Sequence, residues 1–174
     1  MYYNSLYNLL GIVLLLCASC SSEEPREAVR KGATSVETMA LTELNRQLTE
    51  KDEDIIECLM RRKNWTMNYH SEGFYSMVLN EGRGKNIADN SMVELLCKVQ
   101  LLDGTVCYER QLRSFKVNTT NEIAGLHQGM LNRRGGDKLR FIFPPYMAYG
   151  LLGDRDKIPP RAALIFEVEV LNVD

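Results

Sequence analysis

The residues best suited to covalent, acid–base or metal chemistry in this 174-residue chain are two histidines and five cysteines. Their spacing does not suit that chemistry. His70 and His127 stand alone. Cys58, Cys97 and Cys107 contain no C-x-x-C pair, so no zinc site is expected. No Ser/His/Asp constellation stands out, and no cofactor is expected. A formal charge of −2 offers no basic cluster for phosphates, so no nucleic-acid partner is expected. With 45% apolar and 25% charged residues the chain reads as globular.

Cys20 is the exception. An apolar run, Leu9 to Leu16, is too short to span a bilayer and suits a signal-peptide h-region. Ala18 and Ser19 then precede Cys20, as in a bacterial lipobox whose cysteine is acylated. Cys17 fits less well, because bulky Leu16 precedes it. Residues 1–19 are therefore expected to be a lipoprotein signal peptide. Cys20 would then anchor the chain to a bacterial membrane, the outer membrane facing periplasm or cell surface. Residues 20–35, polar with Pro25 and Gly32, read as a flexible tether.

Behind these residues stand the elements that must position them. Thr34-x-x-Glu37 and Thr49-x-x-Asp52 are helix starts. Val36, Ala40, Leu44 and Leu48 share one helical face, and Ile55, Ile56, Leu59 and Met60 another. Residues 36–64 are thus expected to be a helical extension, in two helices or one interrupted helix, packed on the rest of the chain. From Trp65 the pattern turns to strands. These are Gly73 to Leu79, Met92 to Leu102, Thr105 to Tyr108 after an Asp103-Gly104 turn, Phe115 to Val117, Lys138 to Phe143 and Ala163 to Val173. Ile123 to Leu131 reads as a short helix. The expected fold class is α+β, a bent antiparallel sheet covered by that helix.

Four ordered pieces carry a resemblance. They are Ile123-x-Gly125-Leu126-x-x-Gly129-Met130; Gly136-Asp137-Lys138-Leu139-Arg140-Phe141-Ile142-Phe143-Pro144; Ala148-Tyr149-Gly150 with Ile158-Pro159-Pro160; and Leu164 to Leu171. Together they resemble FKBP-type peptidyl-prolyl cis–trans isomerases over about residues 70–174, and the isomerase domain is expected at 65–174. The helical extension with its Gly73-Phe74-Tyr75 strand is similar to lipoprotein isomerases of the gliding-motility-associated type. The resemblance implies a twisted sheet wrapped around a short helix, with an apolar cleft for a prolyl ring. It implies proline-containing polypeptides as substrates, a monomer, and a folding helper for exported proteins.

Residue by residue, the resemblance implies that the Tyr149 hydroxyl and the Ile123 backbone N–H hydrogen-bond substrate carbonyls, with Phe166 as the third catalytic position. Leu126 would form the pocket floor, and Phe115 and Ile158 its walls. Cys97, Cys107 and Tyr108 stand where the family has Tyr, Phe and Asp. A further wall aromatic falls near Arg113, and a Val is Glu122. Two cysteines in place of aromatics should make a wider, wetter pocket, unless Tyr108 refills it. Prolyl isomerisation has a barrier of roughly 18–20 kcal/mol and breaks no covalent bond. A water-poor cleft that fits the twisted amide better than the planar one therefore suffices. The departures keep a second reading open: a catalytically weak or inactive FKBP-like binding or chaperone module. A strict two-residue turn would put Cys97 and Cys107 on opposite faces; a bulged or odd-length turn would put them on one face and permit a disulfide.

Overall fold

The computed structural model describes residues 25–174, with side chains from residue 36 onward. The expected signal peptide, Cys20 and tether residues 21–24 lie outside the described residues. Residues 25–35, expected to be flexible, are instead helical: α1 runs unbroken over Pro25–Lys63. Proline is compatible with the first helical turn, and the Arg, Glu, Ala and Lys that follow favour helix strongly enough to carry Gly32. The two helix starts expected at Thr34 and Thr49 fall inside this one helix.

Contacts divide the chain between Arg46 and Gln47. Of the first expected stripe, Val36, Ala40 and Leu44 lie in the first unit and are exposed, while Leu48 lies in the second and is half-buried. The second unit begins at Gln47, not at residue 65 as the strand pattern suggested. The reason is apolar: Ile56 and Leu59 are buried against Tyr75, Ile142 and Ile165. The helix ends in a Schellman motif. Asn64 adopts φ 53°, Trp65 N–H donates to Met60 C=O at 2.9 Å, and Asn64 N–H donates to Arg61 C=O at 3.2 Å. The ring of Trp65 lies 4.1 Å from the Arg140 guanidinium.

The strands are β1 (Asn68–His70), β2 (Phe74–Asn80), β3 (Met92–Leu101), β4 (Val106–Lys116), β5 (Lys138–Phe143) and β6 (Leu164–Val173). They form one antiparallel sheet in the order β1-β2-β5-β6-β3-β4. Alternation sorts its two faces. Phe141, Phe143 and Phe166 face the main core with the helix α2 (Ala124–Met130), while Ile142 and Ile165 face α1. Close approach of α2 to β5 requires glycine. A Cβ on Gly125 would meet the Phe143 ring at 2.6 Å, and one on Gly129 the Phe141 ring at 3.0 Å.

The β3–β4 turn is longer than the two residues of the simplest hairpin. Leu101 N–H donates to Thr105 C=O at 2.9 Å, so Leu102, Asp103 and Gly104 form the loop, with Gly104 at φ 95°. The Asp103 carboxylate accepts the Thr105 N–H at 2.8 Å. Bulges follow, and Cys97 pairs with Gln111. This is the odd-length case: Cys97 and Cys107 both join the main core, as free thiols.

Candidate functional site

The residues singled out from sequence converge. Cys97 on β3, Cys107 and Phe115 on β4, Leu126 on α2, Phe166 on β6 and Ile158 of the β5–β6 connection are buried in one apolar cluster. Tyr108, Ile123 and Tyr149 are partly buried against it. Leu126, Phe166 and Cys97 are 0% exposed. Both cysteines that stand where the family has aromatics are buried. Tyr108 packs on the cluster beside Cys107, and neither thiol faces water. Burial pushes the Cys97 thiol up to about 12, so it is no nucleophile at neutral pH. Among the described residues no three His, Cys, Asp or Glu side chains converge on a point where a metal ion could bind.

His127 sets the entry to α2. Its Nδ1 accepts the Asn118 N–H at 3.0 Å, which places the proton on Nε2, and Nε2 donates to the Thr120 C=O at 3.0 Å. Its ring meets the Phe115 ring edge-on at 5.3 Å. The histidine thus ties the β4–α2 connection to the helix. At the end of that connection Ile123 is the N-cap, extended at φ −63° and ψ 143°, with no side-chain cap. An N-terminal N–H has no partner within the helix and must find one elsewhere. Here the partner is the Glu122 carboxylate, at 2.9 Å.

The same carboxylate oxygen accepts from Arg113 Nη1 at 3.0 Å, and Arg113 Nη2 donates to the Tyr149 hydroxyl at 3.1 Å. The guanidinium carbon lies 5.8 Å from the Phe166 ring centroid. Side-chain exposure is 15% for Arg113 and 16% for Glu122, so both charges sit largely out of water. Charge replaces apolar wall at both positions, and each charge answers the other. Because its oxygen accepts from Arg113, the Tyr149 hydroxyl still has its own hydrogen to donate.

Tyr149 follows a 3₁₀ turn, Pro145–Met147. Gly150 C=O accepts the Arg161 N–H at 3.0 Å, and the Arg161 side chain donates to Asp52 of α1 at 2.8 Å. The loop that follows is organised by Asp154. One of its oxygens accepts the N–H groups of Asp156 and Ile158 at 2.9 and 2.8 Å; the other accepts the Tyr108 phenol. Burial works against the Asp154 charge, but the Tyr108 bond and the backbone amides outweigh it and hold the carboxyl below its usual range. Where the family has an aspartate this chain has Tyr108, and its phenol reaches an aspartate 46 positions on.

Sequence reasoning treated Arg113 and Glu122 only as departures and did not find Asp154. A pair of opposite charges at two apolar wall positions was the available signal for the first. Asp154 carried none, since nothing local ties it to β4. The assembled site is a buried apolar cluster with the Tyr149 hydroxyl and the Ile123 backbone N–H on partly buried residues at its edge. That chemistry suits binding an apolar ring beside a polar amide and changing the amide's shape.

Comparison with known proteins agrees with the geometry. The chain is 33% identical over 107 residues to the FKBP-type peptidyl-prolyl cis-trans isomerase FkpA of Escherichia coli (strain K12), covering 59% of this chain and 38% of that protein. It is 29% identical over 105 residues to the inactive peptidyl-prolyl cis-trans isomerase FKBP6 of Mus musculus, covering 58% and 32%. The chain thus spans about a third of the length of these curated relatives. The crystal structure of E. coli FkpA superposes with a TM-score of 0.61 at 22% identity, over 100% of this chain and 83% of that one. A peptidyl-prolyl cis-trans isomerase structure from Pseudomonas syringae pv. tomato gives 0.60 at 26%, over 72% and 96%. The family model for FKBP-type peptidyl-prolyl cis-trans isomerases matches residues 84–171. That span takes in β3 to β5, α2, most of β6 and every residue of the site's apolar cluster named above, and it places this chain in the FKBP-type peptidyl-prolyl cis-trans isomerase family.

Proposed function

We propose that the chain catalyses cis–trans isomerisation of X–Pro bonds in polypeptides and assists the folding of exported proteins. The observation that carries this reading is the Tyr149 hydroxyl at the rim of the apolar cluster of Leu126, Phe166, Phe115 and Ile158, next to the N-terminus of α2. The planar amide is the more polar state, and a dry site with a hydrogen-bond donor at its edge favours the twisted one. The test is a proline-peptide isomerisation assay on the full chain, with a proline-limited refolding substrate alongside. Acceleration of both is expected; rates equal to the buffer blank for both reject it. The uncatalysed exchange takes on the order of tens to hundreds of seconds, which leaves a wide window. One copy contains all of the cleft's residues, which supports a monomer as the working unit.

A second reading, a weak or inactive binding module, is favoured by one feature. The Arg113–Glu122 pair already engages both the Tyr149 hydroxyl and the Ile123 N–H. A stable partner that survives mutation of the cleft would support it.

Export and anchoring are further parts of the proposal. They rest on the apolar run Leu9 to Leu16, on Ala18-Ser19-Cys20 and on the polar break after it. Fatty-acid labelling of the bacterial cell envelope tests them. Cys20→Ser should abolish the label and release the chain from membranes; label retained in that variant refutes acylation at Cys20.

A further inference from the structure

The rim of the cleft is already occupied by the chain's own charges. The Ile123 N–H donates at 2.9 Å to Glu122, and the Tyr149 oxygen accepts at 3.1 Å from Arg113. Glu122 and Arg113 are joined at 3.0 Å, and the guanidinium lies over the Phe166 ring. A peptide whose proline reaches Phe166 and whose carbonyl takes the Ile123 N–H must therefore move this pair. The carboxylate stands where a substrate carbonyl would accept.

We propose that Arg113 and Glu122 determine substrate specificity, so that the cleft prefers prolyl peptides with an acidic residue flanking the proline. The inference rests on the isomerase reading above for the way a peptide enters. Its physical basis is the cost of leaving a charge unpaired out of water. When a carbonyl displaces Glu122 from the Ile123 N–H, the carboxylate loses a charge-assisted hydrogen bond and its grip on Arg113 loosens. Arg113 remains over Phe166, largely removed from solvent, and an unpaired charge there is unfavourable. A carboxylate on the residue beside the proline restores its partner. Arg113 bonds directly to the hydroxyl that would meet the prolyl amide, so the side chains next to that amide come within its reach. A neutral flanking residue leaves the guanidinium to compete for Glu122. A basic one adds like charge and can only compete with Arg113 for Glu122. The geometry thus selects by exchange: the peptide succeeds that best replaces the carboxylate it displaces.

The test compares three peptides, differing only in Glu, Ala or Lys beside the proline, on the full chain. One readout is kcat/KM for isomerisation and the other is Kd by calorimetry. Expected is the order Glu, Ala, Lys, with Glu over Lys by about tenfold, the worth of one charge-assisted hydrogen bond. The double variant Arg113→Phe/Glu122→Val should flatten that order and bind the Ala peptide more tightly than wild type. Arg113→Met/Glu122→Gln, closer in shape, serves as a second variant if the first folds poorly. Calorimetric ranking as expected, without acceleration, would sink the isomerase reading and leave this inference standing. Acceleration without a Glu preference, or with the same preference in both variants, would overturn the inference alone. Absence of both binding and acceleration would overturn both.

Discussion

At the scale of single residues, the groups proposed to meet substrate can be told from those that hold the fold. Tyr149 is only partly buried, and its hydroxyl makes one bond, to Arg113. Tyr149→Phe should therefore cost about 1 kcal/mol of stability or less, while kcat/KM for prolyl peptides falls several-fold. A large drop in Tm with unchanged activity would make Tyr149 a core residue instead. The cysteines divide differently. Cys58 is exposed; Cys97 and Cys107 are buried, and burial pushes both thiols up. Thiol labelling with peptide mapping should mark Cys58 in the native protein and reach Cys97 and Cys107 only in denaturant. A native crosslink between Cys97 and Cys107 would contradict the free thiols seen here. Most of these positions were legible in the sequence, because the ordered family pieces fix which residue stands where. The Arg113–Glu122 pair was not. The two lie nine positions apart across a strand end and a turn, and spacing there does not say which face either takes.

At the scale of elements, the site depends on how closely α2 lies on β5. Gly125 stands against Phe143, and Phe143 meets Phe166 edge-on at 5.3 Å. In Gly125→Ala the new methyl has the Phe143 ring 2.6 Å away, with no exposed surface to move into. A loss of about 1–3 kcal/mol is expected from such overpacking, seen as a lower denaturant midpoint. Because the displaced ring adjoins Phe166, kcat/KM should fall with it. Gly104→Ala is the contrast: nothing lies within 4 Å, and only φ 95° opposes the side chain. Its cost should be about 1 kcal/mol, with activity intact. Equal loss of activity in both variants would refute the link between helix packing and the cleft. The strands β2, β3, β5 and β6 and the helix α2 were legible because period-two alternation and turn residues mark them, whereas β1 was not expected and β4, one strand over Val106–Lys116, was expected as two short ones. The turn length after Leu101 was not, since Asp103-Gly104 fits a two-residue and a three-residue loop alike. The unbroken course of α1 was missed for a similar reason. Residues 25–35 lack an apolar stripe, yet intrinsic preference alone can carry a helix onward.

At the scale of the molecule, the sheet is held from both faces. The end of α1 covers one through Ile56 and Leu59, and α2 covers the other. That the end of α1 packs on the chain was legible in its apolar stripe, of which Ile56 and Leu59 are buried, but the start of the folded unit at Gln47 was not legible from the change of pattern at Trp65. Such a change marks where strands begin, and says nothing of which helix packs on them. The sheet's edge adds a pH dependence. His70 on β1 stacks on Phe74 at 4.3 Å, and its Nε2 lies 2.7 Å from the Ser76 hydroxyl, which also accepts from Arg133. Burial first, then the Arg133 charge, lower its pKa from 6.5, against a smaller opposing effect of Glu72. The unfolded chain therefore binds more protons than the folded one between 6.5 and the lower folded value. Stability should be full above that window, fall as pH drops through it, and level off below. Asp103, Asp154 and Glu169 have lowered folded values. Their stabilisation is present above the ordinary carboxyl range and is lost only at more acid pH, so the two windows separate. Urea midpoints at about pH 8 and pH 5 read the difference, with the lower midpoint expected at pH 5. In His70→Gln the gap should narrow. A gap of unchanged size in that variant would place the responsible proton elsewhere in the molecule.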